Sequence, residues 1–158
     1  MSRRRYPAGV QDFEKIRTDG FVYVDKTEYI YNLANNCGDA IFLGRPRRFG
    51  KSLLCSTMKH YFMGHKELFE GLAIEKLEKN WTAYPVLYFD MSNCKKDNPA
   101  QVESSLNQLL QRYEEEYDVH TESSDFGDRL QRLIEVAHQR TGNRAVLIFD
   151  EYDSPVLN

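Results

Sequence analysis

Ala40-Ile41-Phe42-Leu43-Gly44-Arg45-Pro46-Arg47-Arg48-Phe49-Gly50-Lys51-Ser52-Leu53-Leu54 is the stretch that decides the fold. Its first four residues are an unbroken apolar run, which suits a strand buried on both faces, as in a parallel sheet. A glycine-bearing loop follows and ends in Gly50-Lys51-Ser52. A helix is expected from Lys51 to about Phe62, with Leu54, Met58, Tyr61 and Phe62 on one face and Gly64 as its stop. Strand, glycine loop and helix in this order are the context of a phosphate-binding loop.

The chemistry explains the residue types. Backbone N–H groups at the start of a helix point outward, and the helix dipole favours negative charge there. Gly50 allows close approach of the backbone. Lys51 offers a point charge to β- and γ-phosphates, and the Ser52 hydroxyl is a ligand for Mg²⁺. The phosphate-cradling residues are read as Gly44, Arg45, Arg47, Arg48, Phe49, Gly50, Lys51, Ser52 and Leu53. The spacing departs from GxxxxGK[ST] by one residue: Arg45 stands where the first glycine belongs, and Gly44 precedes it. Arg45, Arg47 and Arg48 are open to two readings, as phosphate or partner contacts and as exposed loop charges. Pro46 stiffens the loop.

Further along, Ala145-Val146-Leu147-Ile148-Phe149 runs into Asp150-Glu151. An apolar strand ending in two acids has the Walker B pattern. The first acid lies at the strand's C-terminal end, where ligands bind in open α/β sheets. Asp150 is read as a Mg²⁺ partner, alongside Ser52, and Glu151 as the residue that orients or deprotonates an attacking water. The alternative is a structural strand followed by a helix cap. Asp153 is either a supporting carboxylate or a loop cap. Asp90 reads as a turn or cap residue in preference to a ligand-edge residue.

Between these motifs, Pro85 to Asp90 reads as another buried strand. Asn98-Pro99 opens a helix from about Ala100 to Tyr117, with Val102, Leu106, Leu109, Leu110 and Tyr113 at helical spacing. Phe126, Leu130, Leu133, Ile134 and Ala137 mark a further helix that ends at Thr141-Gly142-Asn143. Phe21 to Val24 is a short β-prone run. Asp25 and Glu28 have capping-box spacing for a helix through about Asn35. Residues 7–20 read as loop with a helical turn, and 66–80 as a short charged helix and a loop anchored by Leu68, Phe69 and Leu72. Strands alternating with helices give an α/β layered fold with a parallel sheet and right-handed crossovers.

Composition excludes several classes. With 41% hydrophobic and 13% aromatic residues in a 158-residue chain, a real core is expected. The net charge of −3 gives no support to a nucleic-acid role. Cys37, Cys55 and Cys94 form no CxxC pair, and reduced thiols in the cytoplasm fit better than a disulfide framework. His60 and His65 read as surface histidines. No apolar run approaches the roughly 20 residues of a membrane span. Arg3-Arg4-Arg5 reads as a solvated terminus, without the apolar stretch of a signal peptide.

The loop from Phe42 to Leu54 resembles the signature of the AAA-ATPase-like family of P-loop proteins. So do Tyr23-Val24-Asp25-Lys26-Thr27, Leu68-Phe69-Glu70-Gly71-Leu72 and Asp150-Glu151-Tyr152-Asp153-Ser154-Pro155. The resemblance runs from about Pro7 to Pro155, and Arg45 matches the family's own variant of the loop. It implies a three-layer αβα P-loop NTPase core with a mainly parallel sheet, binding ATP and Mg²⁺ through Lys51, Ser52, Asp150 and Glu151. It also implies a strand following the Walker B strand and inserted beside it, and in many members a C-terminal region resembling a PD-(D/E)XK nuclease. The expectation is one incomplete domain: residues 1–38 as a lead-in, 39–158 as nucleotide-binding core, truncated after the Walker B strand. A gap between 40–43 and 145–149 would then favour marginal stability and self-association. ATP hydrolysis is the expected activity, with a nucleotide-binding switch or an inactive fragment as the alternatives.

Overall fold

The computed structural model describes residues 5–44, 50–92 and 99–151. They fall into two compact units, residues 1–83 and 84–158.

The first unit is helical. Helix α1, Phe13–Thr18, starts because the Asp12 carboxylate accepts the Lys15 N–H at 2.7 Å. Helix α2 is Thr27–Asn36, α3 is Lys51–Phe62 and α4 is Ile74–Leu77, with a 3₁₀ turn at Lys66–Phe69 between the last two. Phe13, Ile16, Ile30, Phe69 and Ile74 are fully buried at its centre. Burying an apolar side chain of this size contributes about 1.5–3 kcal/mol. The aromatic rings interlock: Phe13 lies 4.8 Å from Phe69, and Phe69 5.2 Å from Trp81. The Phe13 N–H donates to the Ser56 hydroxyl at 2.9 Å and ties α1 to α3.

Helix α3 has the bounds the sequence predicts. Gly64 ends it at a φ of 74°, and a Cβ there would stand 2.9 Å from the Trp81 carbonyl oxygen. Leu54, Met58 and Tyr61 are buried as expected, and Phe62 only half so. Cys55, Ser56, Thr57 and His60 are buried as well, so the covered arc is wider than one apolar stripe. Leu68, Phe69 and Leu72 are the anchors expected of residues 66–80.

The strand expected at residues 40–43 does not form, and the β-prone run at 21–24 forms none either. Phe42 is 76% exposed. An apolar run becomes a strand only when a neighbour supplies ladder partners. The capping expectation at α2 is also corrected. Lys26 occupies the cap position without a side-chain bond, and Asp25 instead accepts the Thr27 N–H at 2.9 Å.

The second unit is α/β. Strand β1, Val86–Asp90, pairs in parallel with β2, Val146–Asp150, in the register Tyr88↔Ile148 and Asp90↔Asp150. Helices α5, Pro99–Glu116, and α6, Phe126–Thr141, lie between them in sequence. Both helices pack on the face carrying Leu87, Phe89 and Leu147, with Leu110 and Leu133 fully buried against it. The Arg129 guanidinium joins α6 to α5, donating from Nε and Nη2 to the two Glu114 oxygens at 2.9 and 2.6 Å, and from Nη1 to Asn107 Oδ1 at 2.6 Å. Among the described residues this unit is an α/β arrangement of two helices on a two-stranded parallel sheet.

The sheet has one closed edge. Met91 N–H donates to the Asp150 carbonyl and Val146 N–H to the Pro85 carbonyl. Ladder parity then turns the Tyr88 backbone away from β2, and the Leu147 and Phe149 backbones away from β1. The Tyr113 hydroxyl closes the β1 side: it accepts the Tyr88 N–H at 2.8 Å and donates to the Tyr88 carbonyl at 3.1 Å. No further strand pairs with β2 among the described residues.

Candidate functional site

Gly50 is the residue before α3 and has a φ of 73°, in the left-handed region that glycine adopts without a Cβ penalty. Its carbonyl accepts the Leu54 N–H, so the helix begins at once. Lys51, Ser52 and Leu53 form the first turn, whose N–H groups have no carbonyl four residues back within the helix. All three are half-buried. No acidic residue stands in that turn. Gly44 is exposed and outside any strand. Arg45, Arg47, Arg48 and Phe49 lie outside the described residues, as do Pro46 and Asp153.

The acidic pair ends β2. Asp150 is 2% exposed, an unusual degree of burial for a carboxylate. Both of its oxygens are held: Oδ2 accepts the Tyr88 hydroxyl at 2.8 Å, and Oδ1 accepts the Glu151 N–H at 2.9 Å. Glu151 follows at a φ of 56°, which a non-glycine residue adopts at a cost of about 1–3 kcal/mol. Half-buried, it marks the point where the chain turns off the strand. Asp90, at the end of β1, is exposed and accepts the Ser92 N–H at 2.9 Å, as a turn residue does.

Sequence reasoning did not find Tyr88. The signal was available in the pattern, because parallel strands in this register put Tyr88 on the same face as Asp150 and one pair away. It also misplaced His60. That side chain is 3% exposed, with Nδ1 2.9 Å from His65 Nδ1 and Nε2 4.0 Å from Glu14 Oε2. Burial pushes the His60 imidazole below its usual range, helped by the Lys59 and His65 charges and opposed by Glu14 and Asp12. The cause of the misreading is the width of the buried arc of α3.

Among the described residues no group of three or more His, Cys, Asp or Glu side chains is placed to hold a metal ion. A carboxylate such as that of Asp150 is an oxygen donor of the kind Mg²⁺ takes. That ion is held by one or two protein ligands while phosphates and waters complete its octahedron. Cys37 is exposed and Cys55 buried. No helix among the described residues is long and apolar enough to cross a membrane.

Residues 7–158 match the family model described as predicted AAA-ATPase. The chain is also 36% identical over 160 residues to an uncharacterized protein in the vnfD 5'region of Azotobacter chroococcum mcd 1. The alignment covers the whole chain and 31% of that relative, so the chain spans about a third of the relative's length. No solved structure matches.

Proposed function

Because the chain belongs to the predicted AAA-ATPase family, we propose that it binds ATP with Mg²⁺ through the loop from Gly44 to Leu53 and hydrolyses the γ-phosphate. The observation that carries this reading is Gly50, left-handed at 73° and leading directly into a 12-residue helix that begins Lys51-Ser52. Lys51 supplies positive charge to the β- and γ-phosphates, and the first-turn N–H groups of α3 donate to phosphate oxygens. The Ser52 hydroxyl and the Asp150 carboxylate are the groups for Mg²⁺, with Asp150 acting as the Walker B acid. When bound, the ion neutralises charge on the phosphate oxygens. Glu151 orients a water and takes its proton as the water oxygen bonds to the γ-phosphorus and the bond to the ADP oxygen breaks. The strained backbone at Glu151 supports its assignment, since such strain gathers at functional sites. Three cysteines with no CxxC pair favour a reducing, cytoplasmic setting.

Thermal shift tests the binding step. ATP·Mg²⁺ at 100 times its Kd stabilises a folded chain by about 2.7 kcal/mol. Lys51→Ala is expected to remove that shift; a shift that survives intact overturns the loop assignment. Phosphate release separates hydrolysis from a nucleotide-gated switch. Glu151→Gln should bind and not release, whereas a wild type that binds without release makes the protein a switch.

A further inference from the structure

We infer that Tyr88 is a positioning residue for Asp150: its hydroxyl fixes the one orientation in which that carboxylate serves hydrated Mg²⁺. The inference rests on the nucleotide reading above. Tyr88 donates to Asp150 Oδ2 at 2.8 Å, and Glu151 N–H donates to Oδ1 at 2.9 Å. A carboxylate offers about four lone-pair positions, so two donors fix its plane and leave acceptor capacity for a metal-bound water. A hydroxyl donating to an ionised carboxylate is about twice as strong as a neutral hydrogen bond. Asp150 is 2% exposed, so solvent gives little replacement for a donor that is removed.

Tyr88 is itself fixed, and not through its ring hydroxyl. Its backbone N–H and carbonyl are both bonded to the Tyr113 phenol on α5. The order of support is therefore α5, then the Tyr88 backbone, then the Tyr88 hydroxyl, then Asp150. The last link alone disappears in Tyr88→Phe, which keeps the ring, the strand and the Tyr113 contacts. Mg²⁺ demands near-ideal octahedral geometry, so a carboxylate free to rotate serves it poorly. Losing a group that orients a metal ligand typically costs 10- to 100-fold in metal affinity or activity.

Titration calorimetry of the full chain with ATP, once in EDTA and once in excess Mg²⁺, isolates this effect as the gain in ATP affinity that Mg²⁺ brings. Tyr88→Phe is expected to cut that gain by about 10-fold or more, as Asp150→Asn does, while affinity in EDTA stays unchanged. Thr27→Val serves as the structural control: it lowers the melting temperature by removing the acceptor of the buried Ile74 N–H and leaves the Mg²⁺ gain intact. If Tyr88→Phe keeps the wild-type gain while Asp150→Asn loses it, the positioning role is overturned and the nucleotide reading stands. If Asp150→Asn also keeps the gain, the assignment of Asp150 itself falls. A Tyr88→Phe chain that does not fold makes the hydroxyl structural and overturns the proposal.

Discussion

The Thr27 hydroxyl accepts the N–H of Ile74 at 3.1 Å, across 47 positions of the chain, and both residues are fully buried. It donates in turn to Asp25 Oδ1 at 2.7 Å, while Asp25 Oδ2 accepts the Ala73 N–H at 2.7 Å. The start of α2 is thus bonded to the start of α4, and the Asp-Lys-Thr motif has a structural role of its own. Thr27→Val keeps the shape and removes the oxygen. It leaves the Ile74 N–H buried and unpaired, at a cost of about 1–3 kcal/mol. Urea denaturation reads this directly, and an unchanged midpoint would show that the bond contributes nothing net.

His60 gives the first unit a pH response. Its pKa is lowered by burial first, then by Lys59 and His65, against the pull of Glu14 and Asp12. The unfolded chain therefore binds a proton at higher pH than the folded one. Stability from this group is fully present above the ordinary histidine value of about 6.5 and falls as pH drops from there through the lowered folded value. Melting temperature should decline over the window that opens as pH falls below about 6.5, and His60→Gln should flatten that decline. A wild-type melting temperature constant over the window would mean that His60 is protonated in the fold.

The helices of the second unit and the two acid-ended strands were legible because each signal was local. Phe126 to Thr141 carries its own cap, Asp125 accepting the Asp128 N–H, and its own stop at Gly142 in the left-handed region. Val146 to Phe149 is a β-branched and apolar run that ends at a charge. Residues 40–43 share that composition and still form no strand, because strand formation depends on a partner that composition does not record. The same limit hid Tyr88 and His60. Each has its role through a contact made by folding, Tyr88 with Asp150 and His60 with His65 and Glu14. Glycine and lysine of the loop were readable from their neighbours alone, and Gly50 takes the backbone conformation that only such a residue adopts freely.

Arg129 and Glu114 form the ion pair that joins α5 to α6, with side-chain exposures of 16% and 10%. Arg129→Met leaves the Glu114 carboxylate buried without its partner, and loss of one member of such a pair costs about 3–5 kcal/mol. Glu114→Leu in the same chain removes the orphaned charge. The double variant should therefore recover most of that loss, since an apolar pair in place of a buried ion pair is often neutral. A double-mutant cycle by denaturant measures the coupling, and simple additivity would show that solvent reaches the pair.

Phe149 lies on the open side of the sheet, 41% exposed and stacked on the fully buried Phe89 at 4.9 Å and 11°. Its backbone faces away from β1, as does that of Leu147, whereas the outer edge of β1 is closed by Tyr113. An edge of this kind pairs readily with another strand, and natural edges are guarded by lysine. Phe149→Lys should therefore reduce self-association of the purified chain in sedimentation velocity over a concentration series. The substitution also gives up the stacking on Phe89, worth about 0.5–1.5 kcal/mol, so a modest fall in melting temperature is expected with it. A fall in both measurements, less association with less stability, is the diagnostic. A destabilised core with the edge left unguarded would raise association instead, and that result would assign any self-association of this chain to general exposure of apolar surface.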